Sequence, residues 1–251
     1  GSSADDDGRA ASGDAGRDTA ADASSAAPAD GAALDGGVDA PIDGAPAAEA
    51  GGGCTVLVDD SFTTQSASWD VLESASFGPG RVELTPRNDG AHAGAIWWKT
   101  PLTFSGVLRV EVELTVDTNG GSSPGHGIAV AWVSTATPYV IGPMGQSFGL
   151  CNAGLTGVAV AADTRDDDLL VMDGIAGDCS TNNGVWPAAI GEGGKLTMEL
   201  RTTSLVATYG AVSGTRAVTA PTTGYLGITA ATGGSGESEH VIESVRVESC
   251  P

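Results

Sequence analysis

The residues able to do chemistry in this chain are few and scattered. Its 251 residues hold three His (His92, His126, His240) and four Cys (Cys54, Cys151, Cys179, Cys250). Nucleophilic catalysis needs a base beside the nucleophile and a third group to orient it. The three His, dispersed among many Ser, give no such motif. No two Cys stand at C-x-x-C spacing and the His are distant from them in sequence, so a zinc site is not read here. Carboxylates at alternating positions occur at Glu111/Glu113 and Glu237/Glu239, and an acidic run occupies Asp163, Asp166, Asp167 and Asp168. Glycoside hydrolysis needs two carboxyl groups flanking one bond, and no Glu-x-Asp-x-(x)-Glu run is present. Glu111/Glu113 read as a solvated strand face, and the chain is read as non-catalytic.

Aromatic rings offer a second kind of chemistry, stacking on the apolar face of a sugar. Trp69 and Trp132 sit in apolar contexts and read as core. Trp97 and Trp98 are adjacent, so a regular strand sends them to opposite faces. Trp186 lies beside the polar turn Asn182-Asn183-Gly184 and is a candidate ligand platform, the alternative being a loop anchor.

The elements that must position these residues are strands. In Val107–Val116, Leu108, Val110, Val112 and Leu114 alternate with Arg109, Glu111, Glu113 and Thr115. The stretches 195–201 and 241–247 repeat the pattern. Period two with one polar face marks antiparallel strands over a core. Further strands fit at 55–58, 81–85, 94–98, 127–133, 156–162, 169–172, 204–209, 215–218 and 224–230, punctuated by Gly, Asn, Asp and Pro. No helix of ten residues is predicted. The expectation is an all-β, two-sheet antiparallel jelly-roll sandwich.

Lys plus Arg number 11 and Asp plus Glu 32, a formal charge of −21. That excludes nucleic-acid binding through the phosphate backbone and attachment to anionic lipid by a basic patch. No apolar run is long enough to span a bilayer. Residues 1–53 contain 17 Ala, 11 Gly and 10 Asp, no aromatic residue and no Cys, with two Arg against eleven acids. So little apolar surface does not offset backbone entropy of roughly 1–2 kcal/mol per residue. Residues 1–53 are expected to be a disordered acidic linker with an r.m.s. span of roughly 40 Å, leaving 54–251 as one domain of charge −12.

Four Cys flanking a β-rich domain point to two disulfides and an oxidising compartment. In a sandwich whose first and last strands pair, Cys54 meets Cys250, which predicts Cys54–Cys250 and Cys151–Cys179. No signal peptide opens the chain, so a mature or trimmed form is expected. The linker is of the kind that lifts a secreted or lipid-anchored domain off a bacterial surface.

Five segments, in order, carry a resemblance. They are Asp59-Asp60-Ser61-Phe62 with Trp69; Val82–Pro86 followed by Ala93–Trp98 and Pro101-Leu102; Gly125-His126-Gly127-Ile128-Ala129-Val130; Gly157–Thr164; and Gly224–Gly233 followed by His240-Val241-Ile242. The set resembles the concanavalin A-like fold, and within it the legume-type (L-type) lectins and their bacterial relatives. The resemblance implies a carbohydrate-binding module whose site is rimmed by His126, Gly127, Asp163, Asp166, Trp186, Gly233, Gly234, Ser235 and Glu237. In the family, the position of His126 is an Asp that accepts hydrogen bonds from sugar hydroxyls. A neutral imidazole keeps one acceptor and one donor but loses the charge-assisted contact. The family's val-glu-phe-asp-thr holds metal through its Glu and Asp. Here the Glu position is Ala161, while Asp163 matches. Asp163, Asp166 and Asp168 remain as a candidate Ca²⁺ set, since Ca²⁺ takes six to eight oxygens; the alternative is a solvated acidic turn. The expected partner is a glycan, more neutral than acidic given the domain's charge. The competing readings are a structural or adhesive module that binds a protein partner, and a divergent glycoside hydrolase.

Overall fold

The computed structural model describes residues 53–87, 90–117, 125–134, 140–177, 179, 183–233 and 238–251. Among these are sixteen strands in chain order. They are β1 (Thr55–Asp60), β2 (Trp69–Glu73), β3 (Ser76–Gly78), β4 (Arg81–Thr85), β5 (Ala93–Trp98), β6 (Leu102–Thr103), β7 (Val107–Asp117) and β8 (Gly127–Val133). After one 3-10 turn at Gly145–Ser147 come β9 (Gly157–Asp163), β10 (Asp168–Asp173), β11 (Asn183–Pro187), β12 (Gly193–Leu200), β13 (Ser204–Tyr209), β14 (Val212–Ala217), β15 (Thr223–Ala231) and β16 (Glu239–Cys250). One eight-stranded sheet runs β14-β13-β12-β7-β16-β4-β3, with β1 also on β16. The other runs β11-β10-β9-β8-β15-β5-β2, with β6 also on β15. All pairings are antiparallel, so the chain is the expected jelly-roll sandwich.

Alternation built the first sheet. Leu108, Val110, Val112, Leu114 and Val116 of β7 are buried between the sheets. Polar residues of this sheet face outward and pair across strands, Arg109 with Glu199, Lys195 with Glu111 and Glu113, and Arg246 with Asp59, while Arg246 also pairs with Glu248 along β16. Glu111 and Glu113 are thus a solvated strand face, as their pattern suggested.

The second sheet is buried on both faces. Ile128, Val130 and Trp132 of β8 enter the core between the sheets. Ala129, Ala131 and Val133 enter a second core with Ala95, Trp97, Ala159, Ala161, Phe148, Leu150 and Leu155. The segment carrying Ile141 to Leu155 lies across this outer face, and the Cys151–Cys179 disulfide holds its far end. Small Ala side chains on β5, β8 and β9 are what let a chain segment pack this closely. At the opposite edge Cys54 is bonded to Cys250, where β1 pairs with β16.

The structure adds β2, β3, β6 and β11 to the strands expected from sequence. β11 corrects the reading of Trp186. It is not a loop residue beside a turn but a strand residue opposite Leu169.

Candidate functional site

One end of the second sheet gathers most of the chemistry. β8 begins at Gly127 opposite Ala231, where β15 ends. β9 ends at Asp163 opposite Asp168, where β10 begins. The residues just beyond these ends are His126, Thr164–Asp167 and Thr232-Gly233. Gly127 is required where it stands: its φ is +116°, and a Cβ there would collide with the Ala162 carbonyl. This tight crossing fixes the direction in which His126 leaves the sheet.

His126 is buried. Its backbone N–H donates to the Ala231 carbonyl at 3.0 Å. Arg165 Nη1 lies 3.2 Å from His126 Nε2. A guanidinium only donates, so Nε2 accepts and the imidazole proton sits on Nδ1. Nδ1 is itself buried with no partner among the described residues. Burial, and then the Arg165 charge, lower the His126 pKa, so the ring is neutral at pH 7. Gly145 and Gly233 flank the Nε2 edge: a Cβ at either would come within 3.5 or 3.4 Å of that nitrogen. Neither position carries a side chain against the Nε2 edge.

Behind His126 lies His240, fully buried, with Nδ1 2.7 Å from Thr85 Oγ1. Burial pushes its pKa down to about 3. Gly125 packs against its ring; a Cβ there would sit 2.7 Å from His240 Cε1. Ser238 accepts the Gly125 N–H at 2.8 Å, and Thr164 Oγ1 donates to the Gly125 carbonyl at 2.5 Å. His240 is structural, a buttress for the Gly125-His126 turn.

The acidic turn stands beside Arg165. Asp163 is buried, and its Oδ1 accepts the Arg165 and Asp166 N–H groups at 3.0 and 3.3 Å. Burial raises its pKa to about 6, against the lowering effect of those two bonds, with Asp166 and Asp168 adding to the rise. Asp163, Asp166 and Asp168 line one depression of about 210 Å³ with Gln146, Phe148, Leu170, Cys179 and Val185. Asp167 is turned away to hold the 188–190 segment through its carbonyl and Oδ1.

The three candidate Ca²⁺ ligands share this depression but do not converge. Among the described residues, the one group of three His, Cys, Asp or Glu ligand atoms within 4.8 Å of each other is Cys54, Glu248 and Cys250, and its two sulfurs form a disulfide. Asp163 Oδ1 is occupied by backbone donors, and position 161 carries a methyl group on the same face. As arranged, these side chains do not make a ready Ca²⁺ cage.

Trp186 is not at this site. Its side chain is on the face of β11 opposite Val185, packs against the core between the sheets, and covers Gly184 and Gly214, where a Cβ would collide with the indole. It closes the open edge of the sandwich between β11 and β14, so the platform role is withdrawn. Trp97 is wholly buried in the outer core and donates to the Val140 carbonyl. Trp98 takes the other face and stacks edge-on against Trp69 at 5.1 Å. Gly234, Ser235 and Glu237 lie outside the described residues.

Sequence reasoning passed over Arg165, whose signal is a single cation inside an acidic run. Gly145-Gln146-Ser147-Phe148-Gly149 also spells Gly-x-Ser-x-Gly, the pattern of a strained strand-to-helix nucleophile elbow. Here it is one 3-10 turn with the positive φ at Phe148 rather than at the serine, so it is not an elbow.

A two-sheet sandwich with its site loops at one end of a sheet is the concanavalin A-like class. Residues 60–200, more than half of the chain, match the legume-like lectin family; the chain belongs to that family. Solved structures agree in fold. The VIP36 exoplasmic/lumenal domain in its Ca²⁺/Man3GlcNAc-bound form aligns with TM-score 0.57 and 22% identity over 73% of this chain and 84% of that one. The metal-free lectin I-B4 of Griffonia simplicifolia gives 0.59 and 17% over 76% and 98%. The Bauhinia forficata lectin in complex with GalNAc gives 0.60 and 15% over 77% and 98%. No curated protein sequence matches the chain.

Proposed function

We propose that this chain is a non-catalytic glycan-binding module acting outside the cytoplasm, secreted or tethered at a bacterial surface, with residues 1–53 as spacer and 54–251 as the binding domain. The observation that carries the reading is the meeting of His126, Gly233, Arg165 and the Asp163–Asp168 turn at one end of the sheet, where the family resemblance puts the combining residues. The two disulfides fit an oxidising compartment. The domain's charge of −12 favours glycans that are neutral along most of their length. VIP36 in complex with Ca²⁺ and Man3GlcNAc, and the Bauhinia lectin with GalNAc, make mannose- and GalNAc-bearing oligosaccharides the first panel, and Ca²⁺ a variable within it.

The test is a broad glycan array with the full chain, run with Ca²⁺ and with chelator. Selective binding that His126→Ala abolishes, without loss of folded structure, is the expected result. An empty array under both conditions overturns the reading.

A further inference from the structure

We propose that Arg165 is the residue that reads the ligand, and that it selects a glycan whose bound sugar carries a carboxylate. The inference rests on the reading of the His126 end as a glycan site and names the ligand chemistry for it.

Hydrogen-bonding polarity decides the matter. A lectin site built around an Asp presents an acceptor with full negative charge, which suits sugar hydroxyls and repels a sugar carboxylate. In this chain that position is His126, which is neutral. Its one accessible acceptor, Nε2, is already taken by Arg165 Nη1 at 3.2 Å. What stands exposed beside His126 is the Arg165 guanidinium, an acceptor-free group with several N–H donors in a planar fork that matches a carboxylate. Position 126 thus brings no negative charge, and Arg165 beside it brings a positive one.

Among the described residues, no carboxylate pairs with Arg165. Arg81, Arg87, Arg109 and Arg246 each have a carboxylate within 4.0 Å. Arg165, like Arg201 and Arg216, has none among the described residues, although Asp163, Asp166 and Asp167 surround it in sequence. The reason is local. Asp163 Oδ1 turns inward to take the Arg165 backbone N–H, Asp167 is bound to the 188–190 segment, and the Arg165 side chain runs the other way, onto a neutral imidazole. Its one described side-chain partner is thus an uncharged ring at 3.2 Å. Asp166 and Asp168 nearby limit the field of Arg165 to one anionic group, which agrees with a domain charge that disfavours polyanions.

A carboxylate on a sugar can come from a uronic acid or from a sialic acid, and matched pairs separate the two sources. The full chain is titrated with neutral oligosaccharides ending in a single galacturonic or glucuronic acid and their carboxyl-reduced counterparts, and with sialylated and asialo glycans. An ion-paired hydrogen bond is worth roughly a 10- to 100-fold preference. The parent chain is expected to prefer the acid member of at least one pair by that factor, and to lose the preference as salt rises from about 0.1 to about 1 M. Arg165→Gln removes the preference, and Arg165→Lys keeps part of it. His126→Asp also removes it, because the new carboxylate neutralises Arg165. Equal or better binding of the neutral members, or an acid preference that survives Arg165→Gln, overturns the proposal while leaving glycan binding intact. Failure to bind any acidic, neutral, mannose or GalNAc glycan overturns both this proposal and the reading on which it rests. Arg165 is exposed, so the variants are expected to fold, and an unchanged melting temperature confirms it.

Discussion

Asp163→Asn should make this domain more stable at neutral pH. Burial holds the Asp163 carboxyl at about 6 instead of 3.8. A raised carboxyl pKa means that the folded state binds the proton more tightly than the unfolded one, so stability falls as pH rises from about 4 to 6. At about 1.36 kcal/mol per tenfold change in proton affinity, keeping Asp163 ionised at pH 7 costs the fold roughly 3 kcal/mol. Asn has the same shape, and its Oδ1 can still accept the Arg165 and Asp166 N–H groups. The expected gain at pH 7 is therefore up to about 3 kcal/mol, or roughly 6–12 °C in Tm for a domain of this size. At pH 4 the parent is already largely protonated, and the gain should shrink toward zero. Urea unfolding of parent and variant at pH 4, 5, 6 and 7.5, in chelator so that no divalent ion offsets the charge, gives both numbers. A variant no more stable than the parent at pH 7.5, or a gain independent of pH, refutes the claim that desolvation dominates this carboxylate.

His240 titrates in the opposite sense. Its folded pKa of about 3 lies below the ordinary 6.5, so stability is lost as pH falls through that window, by roughly 3 kcal/mol at pH 4. His240→Asn should weaken the domain at pH 7 but flatten its acid limb, as read by urea midpoints across pH 4–7. Trp186→Ala should cost about 2–3 kcal/mol, below the value for a fully buried Trp because the ring is half-buried, and should leave any glycan affinity unchanged; a loss of binding would return Trp186 to the site. Replacing Cys54 and Cys250 together by Ser opens a loop of 196 residues and should cost about 5 kcal/mol in the chain-entropy model, against about 4 for the 28-residue Cys151–Cys179 loop. Thermal melts of the two double variants test that order.

The legible parts of the fold are those where one face meets water. β7 could be read residue by residue because Arg109, Glu111 and Glu113 alternate with Leu108, Val110 and Val112, and the structure keeps that register against both β12 and β16. β8 and β9 could be located but their second core could not be foreseen. A strand buried on both faces reads as a continuous apolar run, and the Ile141–Leu155 cover has no periodicity of its own. β11 was hidden by its composition. Asn183, Gly184 and Pro187 are turn-type residues, tolerated because β11 is an edge strand whose outer hydrogen-bonding side is unpaired.

The same distinction governs the site. Gly127 could be placed through the resemblance of Gly125–Val130 to the family segment, and the structure supplies the reason, a φ of +116° and contact with a neighbouring carbonyl that admit only glycine. Arg165 leaves no such mark in sequence. Its role comes from a contact 39 residues away and from Asp163 turning inward beneath it. Reversing either would change its meaning: with Asp163 pointing outward, Arg165 would be one more surface ion pair worth little. Residue 126 has the same dependence. An imidazole there reads as a loss when compared with the Asp of the family, but beside Arg165 its neutrality is what leaves the guanidinium charge free. On the proposed reading, ligand preference is set by a pair. Neither member signals it alone, so His126→Asp and Arg165→Gln should produce the same loss of acid preference from opposite ends of one contact.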